Sequence, residues 1–540
     1  MLRKRLPPIL CILMCFLVVL TGCGSGEKNV KETGKPSGST QASSEEKFGK
    51  KIKITSASLY ISEGTNYAND EIMKKVDDKF NVEHELIPLP ATQWMDKIRI
   101  WANAGDMPDV SFFDLNNNFS EYKSYAEQGL IKALPDDIEG KYPNLAKVLD
   151  KTGVADVLKK RLNGKLYTVP KIIYFNAPTQ KVLSHVSLYY RKDWADKLGI
   201  KVDKLISQDD LYKIAKTFVD KDPGGNGAGK TIGIATDSEK AIPLFVEPYN
   251  YEVMNFHKVN GKYVWGPTEQ STLEGLKVWQ KFYRDGLLHP DFFVHKKQDP
   301  VNLFIAGKAG LLMHDGSGAN INQFFNDFKA QNPDLNPLDI IDTTAIKGPD
   351  GKWHSYERTN FWCSTVLNKD MDADKLDRVL SIMDYTCTDE GQNLINLGIE
   401  GKDWKKDGND IAITRAKDDK GNFKVISDLY PSYKYWWTHV ILPDDWGLRD
   451  PTIPAKIRNM AIDMFKEKEK NGNVSPVDYD LKFYSGPNYD KKGNLGLVQA
   501  ELTGVVLKEG NLEANWKDWV KSKEQNVNAI TNELNNALVK

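Results

Sequence analysis

The sequence predicts an α/β fold in two compact units, each built on a mostly parallel sheet flanked by helices. Three observations carry this expectation. The chain after residue 50 opens with hydrophobic patterns in the order β-α-β-α-β. A second α/β pattern runs from about Val186 to Phe293, and the length beyond residue 50 exceeds what one core organises.

Ahead of the first element, Arg3, Lys4 and Arg5 precede an apolar run from Ile9 to Leu20, the layout of a secretory leader. That run is shorter than the roughly 20 residues a bilayer-crossing helix needs. Residues 24–50 are rich in Gly, Ser, Lys and Glu, with no large apolar residue before Phe48. Such a segment buries too little surface to offset its ordering entropy and is expected to be a flexible tether.

The folded region is expected to begin near Lys51. Ile52 and Ile54 alternate as in a strand, and Ile72, Val76 and Phe80 recur at helical spacing. Residues 82–87 (VEHELI) form the next strand, 92–104 a helix with Met95, Ile98 and Ala102 inward, and 109–113 (DVSFF) a buried strand. Parallel sheets of this kind bind ligands beyond the carboxyl ends of their strands. That rule places Tyr60 to Tyr67 and Asp114 to Asn118 at a cleft. In the second pattern, helices are expected near 208–220 and 268–285, with a strand at 231–235. FIAGKAGLLMHDGSG (304–318) reads as a helix end, a strand and a Gly-rich turn, and the chain from about 370 is mainly helical.

Loss of residues 1–22, which hold three of the 73 basic residues and no acidic one, leaves a formal charge of −4. No basic patch points to nucleic acid. Cys363 and Cys387 are read as two buried thiols, with a single disulfide as the alternative. Neither H-E-x-x-H nor G-x-S-x-G occurs, so the usual hydrolytic signatures are missing.

Leu20-Thr21-Gly22-Cys23 resembles the lipobox of bacterial lipoproteins, in which the cysteine is acylated and becomes the first mature residue. Further along, AGDMPDVSFF (104–113), AEQGLIKALPDDI (126–138), LNGKLYTVP (162–170), LYYRKDWADKLGIKV (188–202), FIAGKAGLL (304–312) and GQNLINLGIEGKDW (391–404) occur in that order. The ordered set resembles family 1 extracellular solute-binding proteins, the maltose-binding-protein superfamily, in its lipoprotein branch of alginate-oligosaccharide and other oligosaccharide receptors. The resemblance implies a leader over 1–22, a tether over 23–50, a first lobe over 51–175 and 308–362, and a second over 176–307 and 363–540. It further implies a receptor held by its lipid on the outer face of the cell membrane, which hands an oligosaccharide to the permease subunits of an ABC importer. Two alternatives are a lipid-retained polysaccharide-degrading enzyme and a receptor of the same fold for a peptide or other solute.

GGNGAGKT (224–231) matches the phosphate-binding pattern at Gly224, Gly229, Lys230 and Thr231. A helix precedes it and a strand follows, the reverse of what phosphate binding needs. Relatives often carry a Ca²⁺ loop of D-P-D-G-N-G type here, so Asp222 and Asn226 are the candidate metal ligands, although Gly224 removes a carboxylate from that pattern. A plain Gly-rich turn is the alternative. No cofactor is required for the expected binding.

Sugar rings present C–H faces that stack on aromatic rings, while side-chain oxygens and nitrogens meet the hydroxyls. The candidate ligand residues are therefore Trp94, Asp114, Tyr189, Tyr190, Arg191, Asp315, Trp362, Trp436 and Trp437. For each aromatic the competing role is core packing, and for Arg191 and Asp315 it is a structural ion pair. Adjacent Trp436 and Trp437 cannot both point inward if their segment is extended, so one of them is the better cleft residue.

Overall fold

The computed structural model describes residues 48–172, 186–356, 359–408, 410–419, 421, 423–439 and 450–539. The expected leader, Cys23 and the tether up to residue 47 lie outside the described residues. Order begins slightly before Lys51: Phe48 is buried against Phe80, with the Arg378 guanidinium over its ring at 4.4 Å.

β1 (Ile52–Ser58), β2 (Val82–Pro88), β3 (Val110–Phe113) and β4 (Thr168–Ile172) come first. β5 (Ser187–Arg191), β6 (Leu205–Ile206) and β7 (Ile232–Ala235) follow, then the hairpin β8 (Phe256–Val259) and β9 (Lys262–Trp265), then β10 (Ala309–His314) and β11 (Ile341–Ile346). β12 (Trp353–Tyr356) and β13 (Phe361–Leu367) lead to the hairpin β14 (Trp404–Asp407) and β15 (Asp410–Ile413), and then to β16 (Gly472–Ser475).

These strands build two five-stranded sheets, ordered β2-β1-β3-β13-β4 and β6-β11-β5-β10-β7. In the first, β1 is parallel to β2 and β3, and β13 runs antiparallel between β3 and β4. In the second, β5 is antiparallel to its neighbours β10 and β11, while β7 and β6 lie parallel on the outside. Each sheet is thus mostly parallel with one reversed strand, as the βαβ patterns predict.

Local chemistry explains the elements. Helix Glu71–Phe80 is capped by Asp70, which accepts from Met73 N, and it buries Ile72, Met73, Val76 and Phe80 against the first sheet. Its carbonyl end is closed from outside the helix: buried Arg378 donates to the carbonyl oxygens of Phe80 and Asn81, and also to that of Lys50. Helix Gln208–Lys221 starts in a reciprocal capping box between Ser207 and Asp210 and buries Leu211, Ile214, Ala215 and Phe218.

The lobe boundaries differ from those expected. β10, expected to return to the first lobe at residue 308, lies in the second sheet between β5 and β7. An apolar run such as AGLLMH suits either sheet, and Gly310 settles the choice. A Cβ there would sit 2.2 Å from Cδ2 of Phe218, so β10 presses directly on helix Gln208–Lys221. The chain rejoins the first sheet only at β13. From there to Trp436 its apolar residues, among them Val379, Ile395 and Tyr430, stay in the first core. It crosses again before Ile453, which packs with Ile457 and Ala461 on the second sheet. Among the described residues the chain passes from one sheet to the other between β4 and β5, between β11 and β13, and between His439 and Asp450.

The last helix, Leu512–Leu538, packs Val527, Ile530 and Leu534 against hairpin β8–β9 and against Leu481, Tyr489 and Leu495. The segment 478–495 consequently bridges two cores. Leu481 belongs to this terminal cluster, whereas Phe483 is buried with Phe119 and Phe361 of the first lobe.

Candidate functional site

The carboxyl edge of the first sheet gathers the aromatic residues. Tyr60 follows β1, Asp114 follows β3, and reversed β13 brings Trp362 to the same edge. Tyr60 is 49% exposed and adopts φ 63°, a left-handed conformation that is costly for a side chain with a Cβ. Its ring stacks on Trp362 at 6.3 Å and meets Trp437 edge-on at 5.9 Å; Trp362 and Trp437 are 5.6 Å apart. Trp94 stacks on Phe112 at 5.2 Å, and Phe112 touches Trp362 at 5.4 Å, so Trp94 reaches the same cluster through one ring.

The Trp pair rides on helix Tyr433–His439 rather than on an extended segment. A helix still separates neighbours, by about 100° per residue. Trp436 points inward, 2% exposed and packed on His84 at 5.4 Å, while Trp437 is half-buried on the cluster side. The helix is tied down by Asp70, whose carboxylate accepts from Ser432 N at 2.7 Å and Ser432 Oγ at 2.8 Å while also capping Glu71–Phe80. At its far end buried His439 shares a 2.8 Å hydrogen bond with Thr365 Oγ1, and burial pushes its imidazole down to about 3. Lys171, near the end of β4, donates to the Trp437 carbonyl and sits 4.5 Å over its ring; burial holds this ammonium down at about 7.

Beside the cluster opens a cavity of about 820 Å³ with walls from both lobes. Asn116, Asn117 and Thr359 line it from the first lobe, and Tyr251 and Lys258 from the second. The 478–495 segment supplies Lys482 and Lys492. Asp114 orients the near wall, because its carboxylate accepts from Asn117 N at 3.2 Å and from Asn117 Nδ2 at 3.0 Å. This wall of amides beside a sheet of rings offers hydrogen bonds and stacking faces, the two chemistries a sugar presents.

Of the nine residues expected to contact ligand, Trp94, Asp114, Trp362 and Trp437 meet at this edge and five do not. Tyr189 is fully buried against Phe324 and donates to the Asp315 carbonyl at 2.7 Å. Tyr190 lies in the second core, and Arg191 is locked bidentate to Asp193 at 2.8 and 2.6 Å. The Asp315 carboxylate is held by Lys240 at 2.9 Å and Lys297 at 2.7 Å, and Trp436 is core. For β5 the reason is its position: it is the reversed central strand, covered on both faces, so an apolar run with aromatics there is packing. Asn116 and Asn117 fall in the 114–118 segment that the strand-end rule places at a cleft, whereas Lys171, Lys482 and Lys492 escape sequence reasoning, since nothing in their local pattern distinguishes them from surface residues.

The 220–231 loop closes on itself. Asp222 accepts from Asn226 N at 2.9 Å, Gly227 N at 2.7 Å and Thr231 Oγ1 at 2.5 Å. The Asn226 carbonyl oxygen, the other expected metal ligand, takes the Lys308 ammonium at 3.0 Å. An internal cation and N–H donors thus occupy the oxygens that a Ca²⁺ ion would need, so these residues fit the ion poorly. Among the described residues no three His, Cys, Asp or Glu side chains group as a metal site. Cys363 and Cys387 are both free thiols.

No family model matches the chain. Its sequence is 27% identical over 387 residues to the polygalacturonan/rhamnogalacturonan-binding protein YtcQ of Bacillus subtilis, covering 70% of this chain and 72% of that one. It is 23% identical over 548 aligned residues to the fructooligosaccharide ABC transporter substrate-binding protein FusA of Streptococcus pneumoniae, covering 95% and 94%. The crystal structure of alginate-binding protein AlgQ2 without calcium ion shares its fold, with a TM-score of 0.64 at 15% identity over 89% of this chain and 96% of that one. The sequence similarity to these binding proteins and the shared fold are consistent with the resemblance that the ordered motifs bear to the family 1 extracellular solute-binding proteins, the superfamily of maltose-binding protein.

Proposed function

We propose that the chain is a lipid-anchored extracellular receptor of an ABC importer that binds an oligosaccharide between its lobes and leaves it chemically unchanged. One observation carries this reading. The Tyr60–Trp362–Trp437 cluster, with an exposed ring held in an unfavourable backbone conformation, lies at the same sheet edge from which Asn116, Asn117 and Thr359 line a cavity whose other walls come from the second lobe and the 478–495 segment. Strain of this kind persists where the surrounding structure imposes it, and it concentrates at ligand sites. The names of YtcQ and FusA, which speak of polysaccharide and oligosaccharide binding, support the ligand class. Stacking and hydrogen bonding need no cofactor. Ligand that touches both lobes favours the closed form by the difference in its affinity for the two states, and that form is the one the permease subunits receive.

The anchor rests on Leu20-Thr21-Gly22-Cys23 and the polar tether after it, which would keep the receptor at the outer face of the membrane. Thermal shift against a panel of oligosaccharides and peptides tests the cargo, since bound ligand raises apparent stability. Stoichiometric saccharide binding without release of reducing ends is expected. Turnover of the saccharide, or a response to peptides alone, defeats the proposal. Cys23→Ser is expected to move the protein from the membrane fraction to the medium; continued retention argues against the lipid.

A further inference from the structure

Lys171 joins the stacking cluster to the routes by which the chain leaves the first lobe. It stands one residue before the end of β4, from which the chain passes to β5 in the second sheet. Trp437 stands two residues before His439, after which the chain leaves the first core again on its way to Ile453. Lys171 is 4% exposed, and its ammonium makes two contacts with Trp437: it donates to the carbonyl and lies 4.5 Å over the indole ring. A contact with the carbonyl alone would fix the helix and leave the indole free to turn about its side-chain torsions. A contact with the ring alone would leave the helix unfixed. Together they set both, and the indole so placed lies 5.6 Å from Trp362 and 5.9 Å from Tyr60.

The ring contact depends on charge. An ammonium is drawn to the face of an indole by the ring quadrupole, and a neutral amine is not. Burial disfavours the charged form and holds Lys171 down at about 7, against the pull of Cys363. Two described groups that act on it or feel it keep one charge state around that pH. From β13, the Cys363 thiol is raised far above it by burial and by Asp114. From helix Tyr433–His439, the His439 imidazole is pushed down to about 3 by burial, by Lys171 and by His84. His84 reaches that helix from β2, where its Nδ1 pairs with Asp77 at 2.6 Å. A methionine of similar length would fill the place of Lys171 without the cost of burying a charge. Packing has no need of the ammonium, whereas holding an indole by its face does.

Resting on the receptor reading above, we propose that Lys171 is a positioning residue for saccharide binding: its ammonium fixes the stacking face of Trp437, so that the charge on Lys171 sets the affinity for the sugar. The receptor therefore holds its cargo more tightly in mildly acidic than in alkaline surroundings.

Short galacturonan and fructose oligosaccharides titrated into the full chain from about pH 6 to about pH 9 test this. The saccharide that binds is expected to lose about 3- to 10-fold in affinity across that range, the size of one cation–π contact. K171M should bind at the alkaline level of wild type at every pH, and K171R, which stays charged throughout, at the acidic level. The melting temperature of K171M should be kept or raised, because an apolar side chain replaces a buried charge. A residue that only braces the fold would lose stability and affinity together. In the ligand-free protein, tryptophan emission should change as pH passes about 7, and the change should vanish in K171M and in W437F. A saccharide affinity that is flat across the range overturns the assignment and leaves the receptor reading standing. So does a slope that survives in K171M or K171R, as titration of His84 would give. No binding of any saccharide overturns both.

Discussion

Replacing Asp315 with Asn probes the ion pairs that hold this strand-end acid. Its carboxylate, 17% exposed at the side chain, pairs with Lys240 at 2.9 Å and Lys297 at 2.7 Å. Burial alone would raise its pKa, but the hydrogen bonds and charges of Lys297 and Lys240 prevail and hold it at about 2, against an ordinary 3.8. A depressed carboxylate contributes stability above its unfolded pKa and loses it as pH falls through the folded one. The shift corresponds to about 2 kcal/mol near neutral pH and to about half of that near pH 3. Asp315→Asn should therefore lower the melting temperature of the second lobe by about 4 to 8 °C near pH 7. The gap between variant and wild type should narrow on acidification toward pH 3. Scanning calorimetry across that range reads both numbers. A variant that melts with wild type at neutral pH, or one whose deficit is the same near pH 3, would show that the two lysines are not what holds this corner.

The Trp pair should separate cleanly. Trp437→Ala is expected to weaken saccharide binding about 3- to 10-fold with the melting temperature retained, the size of one lost stacking contact. Trp436→Ala should cost about 3 to 5 kcal/mol of stability, as a fully buried ring does; equal effects of the two on melting would contradict the opposed orientations. Neither Ca²⁺ nor chelator is expected to shift the melting temperature, because Lys308 already sits on Asn226 Oδ1 at 3.0 Å. A Ca²⁺-dependent rise in stability would show that the ion displaces that ammonium. Burial raises the Cys363 and Cys387 thiols well above their usual range, so both should resist a thiol reagent in the native protein. Both should react after denaturation, and a native protein that titrates at once would place them at the surface.

Much of the fold was legible because its signals are local. The alternation of Ile52 and Ile54, the helical spacing of Ile72, Val76 and Phe80, and the buried run of β3 each describe a single element, and each element forms where expected. Which sheet an apolar run joins is another kind of question. AGLLMH is equally apt for either, and the answer lies in a contact with Phe218, 92 residues earlier in the chain at the Gly310 position. The same limit governs the site. Trp362 and Trp437 are candidates because sugar faces stack on aromatic rings, yet Tyr189 and Tyr190 are candidates on the same ground and are packing, since nothing in LYYR marks β5 as a central strand. Lys482 and Lys492 reach the cavity wall only through the path of the 478–495 segment, which is a property of three dimensions.

Tyr60 brings fold and function into direct opposition. Its left-handed φ of 63° costs about 1 to 2 kcal/mol in a residue with a Cβ, and its 49% exposure means that the ring repays little of this through burial. Glycine would remove the strain, at a cost of about 0.5 to 1 kcal/mol in chain entropy and of one edge contact with Trp437 and one stack on Trp362. These terms nearly cancel, so Tyr60→Gly should melt within about 2 °C of wild type. The exposed face of the ring is free for ligand in a way that buried rings are not. If that face is its reason for being there, the same variant should lose about 10-fold in saccharide affinity. A melting temperature lowered by more than about 5 °C with affinity intact would instead make Tyr60 a packing residue. The cluster would then owe its shape to the first lobe alone.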